Sequence, residues 1–222
     1  MNQPTPDQKD TSKFTLDRQD FQRHLDELSS RLTPPATGEI TAEELLNRKV
    51  ERIPCLVEPL LHKVGLAAVA GSSDAGKSAF LRQLAFAVAT GEPDFLGFPI
   101  QATHRSAIYV STEDDDAATA YLLHTMNRAK QTRPADARNL RFVFDTFDLL
   151  TELDRRLTAQ PADLVVIDAF GDLYTGDQNK SNQIRTYLNE YGQLALKHQC
   201  LVLFLHHTGK RTEDEPPSKH HL

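Results

Sequence analysis

The residues best suited by type and spacing to do chemistry are Gly71, Ser72, Ser73, Asp74, Ala75, Gly76, Lys77 and Ser78. They fit the pattern G-x-x-x-x-G-K-[ST], in which glycines let a loop curl so that successive backbone N–H groups face a phosphate. Ala79 carries the cradle into the first turn of the following helix, where unpaired N–H groups favour an anion. Lys77 is expected to reach the β- and γ-phosphates of ATP, and the Ser78 hydroxyl to hold Mg2+. An acid aimed inward would repel phosphate, so Asp74 is expected to point to solvent.

A second anchor is Asp163-Leu164-Val165-Val166-Ile167-Asp168. Four apolar residues make an interior strand, and Asp168 emerges at its C-terminal end, the edge where parallel sheets bind ligands. There it is expected to support Mg2+; the plainer alternative is a helix or turn cap. Asp163, ahead of the strand, reads as a turn residue. ATP hydrolysis also needs a group that takes a proton from water. Glu113, two residues beyond the strand Ala107–Ser111, is the candidate, with Asp114 a lesser one. Asp115 and Asp116 suit the start of a helix, where carboxylates favour the positive end. His206 and His207 close the last strand. Side chains alternate along a strand, so one of them faces the nucleotide, where it could donate a hydrogen bond to the γ-phosphate. A zinc site would need partners such as C-x-x-C or H-E-x-x-H, and neither pattern is present.

These residues need a scaffold, and the chain alternates as one. Apolar runs predict core strands over 66–70, 107–111, 140–144, 164–167 and 201–205. Helical patterns fall over 77–90, 115–130, 147–158 and 181–198. Short Val/Leu/Ile-rich strands separated by helices predict an α/β fold with a mostly parallel sheet covered on both faces. Residues 53–61 read as a strand-like approach to the core, and Thr41 with Glu44 has the spacing of a helix capping box. Residues 1–38 read as a flexible extension with one short amphipathic helix on Phe21, Leu25 and Leu28. Residues 39–211 form the candidate domain, and 212–222 a polar tail with too little apolar surface to fold.

The 222 residues suit one large domain with an extension, and 39% hydrophobic content can support a core. With 25 basic and 31 acidic residues the net charge is -6, so no basic stripe announces a nucleic-acid surface. Cys55 and Cys200 cannot make a disulfide framework and read as ordinary thiols of a reducing compartment. No signal-peptide core or membrane-length apolar run occurs, which leaves the cytoplasm as the expected location.

Taken together, the motifs resemble the RecA-like P-loop ATPases, in particular the plasmid replicative helicase (RepA-like) type grouped as AAA_25. The resemblance covers roughly residues 39–211. It runs through Ile53–Leu61, Gly71–Ser78, Ala89-Thr90-Gly91 with Phe95-Leu96-Gly97, Ser111-Thr112-Glu113-Asp114, Val165–Phe170 and His206-His207-Thr208-Gly209-Lys210. The phosphate loop is generic; the Glu-Asp after the second core strand and the His-His-Thr-Gly-Lys are far more specific. The resemblance implies a RecA-type core and ATP bound between subunits of a homo-oligomer, in many members a hexameric ring. It implies that Lys77 and Ser78 hold phosphate and Mg2+, Glu113 activates water, Asp168 supports the metal and His207 senses phosphate. It also implies a channel loop for single-stranded DNA. The best match is Gly171–Lys180, where Tyr174 could stack on a base and Lys180 meet a phosphate, although Asp172 and Asp177 oppose tight binding. Relatives usually continue past His-His-Thr-Gly-Lys with further strands and an arginine that completes a neighbour's site. Here the domain is expected to lack those strands, and Lys210 and Arg211 are the late basic pair able to serve across an interface.

The sequence therefore points first to Mg2+-dependent ATP hydrolysis in DNA replication, repair or plasmid maintenance, with helicase activity in view. A nucleotide-dependent binding switch is the second reading. A small-molecule kinase is the third, and neither a basic lid nor an acceptor pocket is visible for it.

Overall fold

A computed structural model describes residues 40–48, 50, 52–174 and 181–208. The chain divides into two compact units, residues 1–51 and 52–222. In the first, α1 (Ala42–Asn47) carries the expected capping box: Thr41 Oγ1 accepts from Glu44 N, and Glu44 Oε2 accepts from Thr41 N. The short helix anticipated within residues 1–38 lies outside the described residues.

The second unit opens with β1 (Cys55–Val57) and β2 (Leu61–His62), an antiparallel pair where one continuous approach was expected. Then come β3 (Gly65–Gly71), α2 (Lys77–Thr90), the small antiparallel pair β4 (Asp94–Phe95) and β5 (Phe98–Pro99), and β6 (Ala107–Ser111). After α3 (Asp116–Lys130) and a 3-10 turn (Pro134–Ala137) follow β7 (Leu140–Val143), α4 (Leu149–Ala159) and β8 (Leu164–Asp168). The one-turn helix α5 (Phe170–Leu173), α6 (Ser181–His198) and β9 (Leu201–His207) complete the described chain.

Five strands form one sheet in the order β3-β9-β8-β6-β7, every neighbouring pair parallel. Alternation sorts its side chains into two cores. Tyr109, Leu164, Val166, Leu201, Leu203 and Leu205 face α2 and its Leu81, Leu84 and Val88. Ile108, Val110, Val165, Ile167, Val202 and Phe204 face α4 and α6. In α4, Leu149, Leu153 and Leu157 recur every four residues and are all buried, each burial contributing about 1.5–3 kcal/mol. This is the RecA-like α/β arrangement expected, with helices on both faces.

Both cysteines are free. Burial, and secondarily the charge of Asp163, push the Cys200 thiol up to about 12, so it behaves as an apolar core group. Among the described residues, no helix is long and apolar enough to cross a membrane.

Candidate functional site

The C-terminal ends of β3, β6, β8 and β9 meet at one edge of the sheet. Leaving β3, the chain makes its turn with Asp74 at φ 64° and Gly76 at φ 75°. Gly76 caps α2 with a left-handed backbone that suits glycine. A side chain there would have room, so backbone angle and not crowding sets the requirement. Asp74 is exposed, yet it borders the cavity in front of the loop where it was expected to face only solvent. Lys77 is 7% exposed, and its ammonium donates to the Ser72 carbonyl.

Strand register then decides which polar residues join the loop. Ser111 pairs with Asp168, and Gly71 with His207. Asp168 continues the Leu164–Val166 face, so its carboxylate lies beneath the start of α2, where Oδ1 accepts from Ser78 Oγ at 3.3 Å. His207 continues the Leu201–Leu203–Leu205 face and so lines the loop cavity, whereas His206 falls on the opposite face against the Phe170 ring. The alternation expected of the histidine pair thus selects His207. Burial, then the neighbouring His207 and Lys77, hold the His206 imidazole below its ordinary value.

A cavity of about 420 Å3 opens at this edge, lined by Ser73, Asp74, Gly76, Lys77, Ser78, Ala79, Glu113 and His207. Glu113 Oε1 lies 3.3 Å from His207 Nε2, but the angles are not those of a hydrogen bond. Both His207 ring nitrogens are buried with no hydrogen-bond partner among the described residues. An imidazole whose nitrogens are in that state, on a side chain that is itself partly exposed, is suited to an oxygen-rich ligand. The Glu113 turn is pinned on three sides. Ser111 Oγ donates to the Asp114 carbonyl, Asp114 Oδ2 accepts from Arg82 Nη2 at 2.9 Å, and the Thr112 backbone N–H donates to the Asp168 carbonyl. The Thr112 hydroxyl accepts from Ala169 N and lies within reach of Asp172 Oδ2, which ties this turn to the start of α5.

Ser78 and Asp168 are a hydroxyl and a carboxylate, the hard oxygen donors that Mg2+ takes alongside water and substrate phosphates. Among the described residues no group of three or more His, Cys, Asp or Glu side chains is placed to hold a metal ion together, as a multi-ligand zinc site would need. The donor set therefore fits Mg2+.

One reading of the sequence is extended and one needs correction. Asp163 sits in the bend just before β8, the turn position expected, and its side chain has a structural role there. It is 2% exposed, and its carboxylate accepts from the backbone N–H groups of Thr103, His104 and Ser106 at the opposite end of β8. Tyr174 is no free platform for a base. It is 8% exposed and stacks on Phe170 with centroids 5.5 Å apart, because a helical turn puts both rings on one side, against Phe204 and Tyr187. Gly171 lies inside α5. Residues 175–180, Gly209, Lys210, Arg211 and the tail fall outside the described residues.

Sequence reasoning missed Arg82 and Tyr109, which lie directly behind the site. The signals were present. Arg82 is a lone charge in an apolar helical run, and Tyr109 a polar-headed ring in an aliphatic strand.

Such a fold, with a phosphate loop facing an acid at the end of each of two strands, defines a RecA-like P-loop NTPase. The sequence matches the family model AAA_25, described as an AAA domain, over residues 30–213; the chain belongs to that family of nucleotide-binding ATPases. A comparison with curated proteins finds no match.

Proposed function

We propose that this protein binds ATP with Mg2+ in the Gly71–Ala79 cradle and hydrolyses it to ADP and phosphate. The observation that carries the reading is the convergence of Lys77, Ser78, Glu113, Asp168 and His207, from four strand ends, on one sheet edge. Backbone N–H groups of the loop and the start of α2 bind the phosphates, and Lys77 exchanges its Ser72 contact for β- and γ-phosphate oxygens. Mg2+, held by Ser78 Oγ and supported by Asp168, would neutralise charge on those oxygens. Glu113 accepts a proton from the water that attacks the γ-phosphorus as the bond to the ADP oxygen breaks. His207 donates to the γ-phosphate and loses that partner when phosphate leaves.

The wider role we infer is that of a homo-oligomeric RecA-like ATPase of DNA replication, repair or plasmid maintenance, acting on single-stranded DNA. The switch reading keeps a specific support: the Thr112–Asp172 and Phe170–His206 contacts link the site to α5, so nucleotide state could be passed to a partner surface.

The test is calorimetric titration with Mg-ATP beside steady-state turnover. Glu113→Gln should bind ATP like the parent and hydrolyse it on the order of 10²-fold more slowly. No saturable ATP binding by the parent would end the proposal, and equal turnover in both would remove Glu113 from it. Particle mass with a non-hydrolysable analogue, and turnover with single-stranded DNA, separate motor from switch. Assembly and stimulation support the motor; a monomer indifferent to DNA supports the switch.

A further inference from the structure

Behind the phosphate loop a polar chain runs from partly exposed Asp114 to three buried groups, Arg82, Tyr109 and Asp168. Tyr109 has 0% exposure and sits in the core between α2 and the sheet. A phenylalanine would fill that space; the hydroxyl is what requires explanation. Its single proton faces two acceptors, Asp168 Oδ2 and, at 3.3 Å, the Ser78 carbonyl. The carboxylate is the nearer and stronger acceptor, so it accepts the hydrogen bond from the phenol. This bond fixes the rotation of the carboxylate: Oδ2 is held down on Tyr109, and Oδ1 is turned to Ser78.

Arg82 covers the other side of the ring. Its guanidinium lies 5.6 Å from the Tyr109 centroid and bonds Asp114, the neighbour of Glu113. Only 5% of Arg82 is exposed, and a guanidinium so desolvated needs a strong reason to be there. Ser78 and Arg82 are four residues apart on α2, and so share one face of a rigid helix. One stiff unit therefore touches the hydroxyl that would hold the metal, the carboxylate that would support it and the turn that carries Glu113.

We propose that Tyr109 and Arg82 are positioning residues for phosphoryl transfer, Tyr109 orienting the Asp168 carboxylate towards the metal position and Arg82, through Asp114, fixing the Glu113 turn against the same helix. The proposal rests on the ATPase reading above. It goes further in making metal support and water activation mechanically linked through the core.

The test uses the full chain and four variants: Tyr109→Phe, Arg82→Met, Asp114→Ala and the Arg82→Met/Asp114→Ala double. Mn2+ binding to the ADP complex, followed by electron paramagnetic resonance, reads the metal position without turnover. Tyr109→Phe should bind ADP in EDTA like the parent but hold Mn2+ about 10-fold more weakly, the size of effect typical for a group that orients a metal ligand. Arg82→Met and Asp114→Ala should each lower kcat about 10-fold with KM unchanged, and the double variant no further than either single, since both break one link. A Tyr109→Phe protein with a lowered melting temperature and parental Mn2+ affinity would reduce Tyr109 to packing. Should Arg82→Met not fold, Asp114→Ala decides alone, because Asp114 is 35% exposed; parental kcat in that variant overturns the Arg82 half. If the parent binds no ADP at all, the ATPase reading fails, and this inference with it.

Discussion

Two buried aspartates flank β8, and their surroundings separate structure from chemistry. Asp163, just before the strand, is 2% exposed; Asp168, its last residue, is 5% exposed. Asp163 is held by backbone N–H groups of the 103–106 segment, with distances from 2.6 to 3.4 Å. Its own backbone pairs with Ser106 and Leu201. Asp168 meets only hydroxyls, those of Tyr109 and Ser78, and among the described residues it has no cationic partner. A carboxylate whose lone pairs are taken by amides is finished as a structural part. One that is oriented by hydroxyls, beside a phosphate loop, keeps its charge available for a cation. The same residue type, on one strand, is given a fold-holding role at one end of the sheet and a candidate catalytic setting at the other.

The largest effect expected from breaking this contrast is on stability. Asp163→Ala removes the shared charged acceptor of three backbone amides, that of buried Ser106 and those of exposed Thr103 and His104, and should cost about 3 kcal/mol. For a domain of this size that lowers the melting temperature by roughly 6–12 °C, measurable by calorimetry. A drop of only a degree or two would mean those amides find water, and the contrast would be lost. Next comes Asp168→Asn. Turnover should fall on the order of 10²-fold, whereas the melting temperature should hold or rise, because a desolvated charge is removed and the amide oxygen can still accept from Tyr109. A destabilisation as large as that of Asp163→Ala would make Asp168 structural too.

The smallest effect is a pH dependence. His206 is held below its usual value of about 6.5, so the unfolded chain binds its proton more readily than the folded one. The stability it contributes is therefore complete above about pH 6.5 and is lost as pH falls through that value towards the folded pKa. His206→Gln should flatten the decline in melting temperature between about pH 6.5 and 5. Parallel profiles for parent and variant would rule out His206 as a source of acid sensitivity at this edge.

Much of the scaffold was legible because it is written in local pattern. The helix 77–90, the strand 107–111 and the helix 181–198 follow from runs whose period and breakers agree with the fold, and Thr41–Glu44 from a spacing that needs only one turn of chain. Strand ends were less legible: β9 runs to His207, two residues past the apolar run, because pairing with Gly71 and not hydropathy ends it. The anchoring role of Asp163 and the burial of Tyr174 were illegible for a related reason. Neither an acid before a strand nor a tyrosine after one reveals its surroundings until its partners, about 60 residues earlier for Asp163 and across the aromatic cluster for Tyr174, are brought to it.

The sequence alone determined the phosphate loop, the alternation of strands and helices, and the acids and histidines standing at strand ends, since all of these are properties of neighbouring residues. The tertiary structure decided which acid is structural, which histidine faces the cavity, and that Arg82 and Tyr109 stand behind the site. Those outcomes depend on strand order and register, and register is set by how whole faces of side chains pack against α2, α4 and α6, which no single stretch of chain encodes.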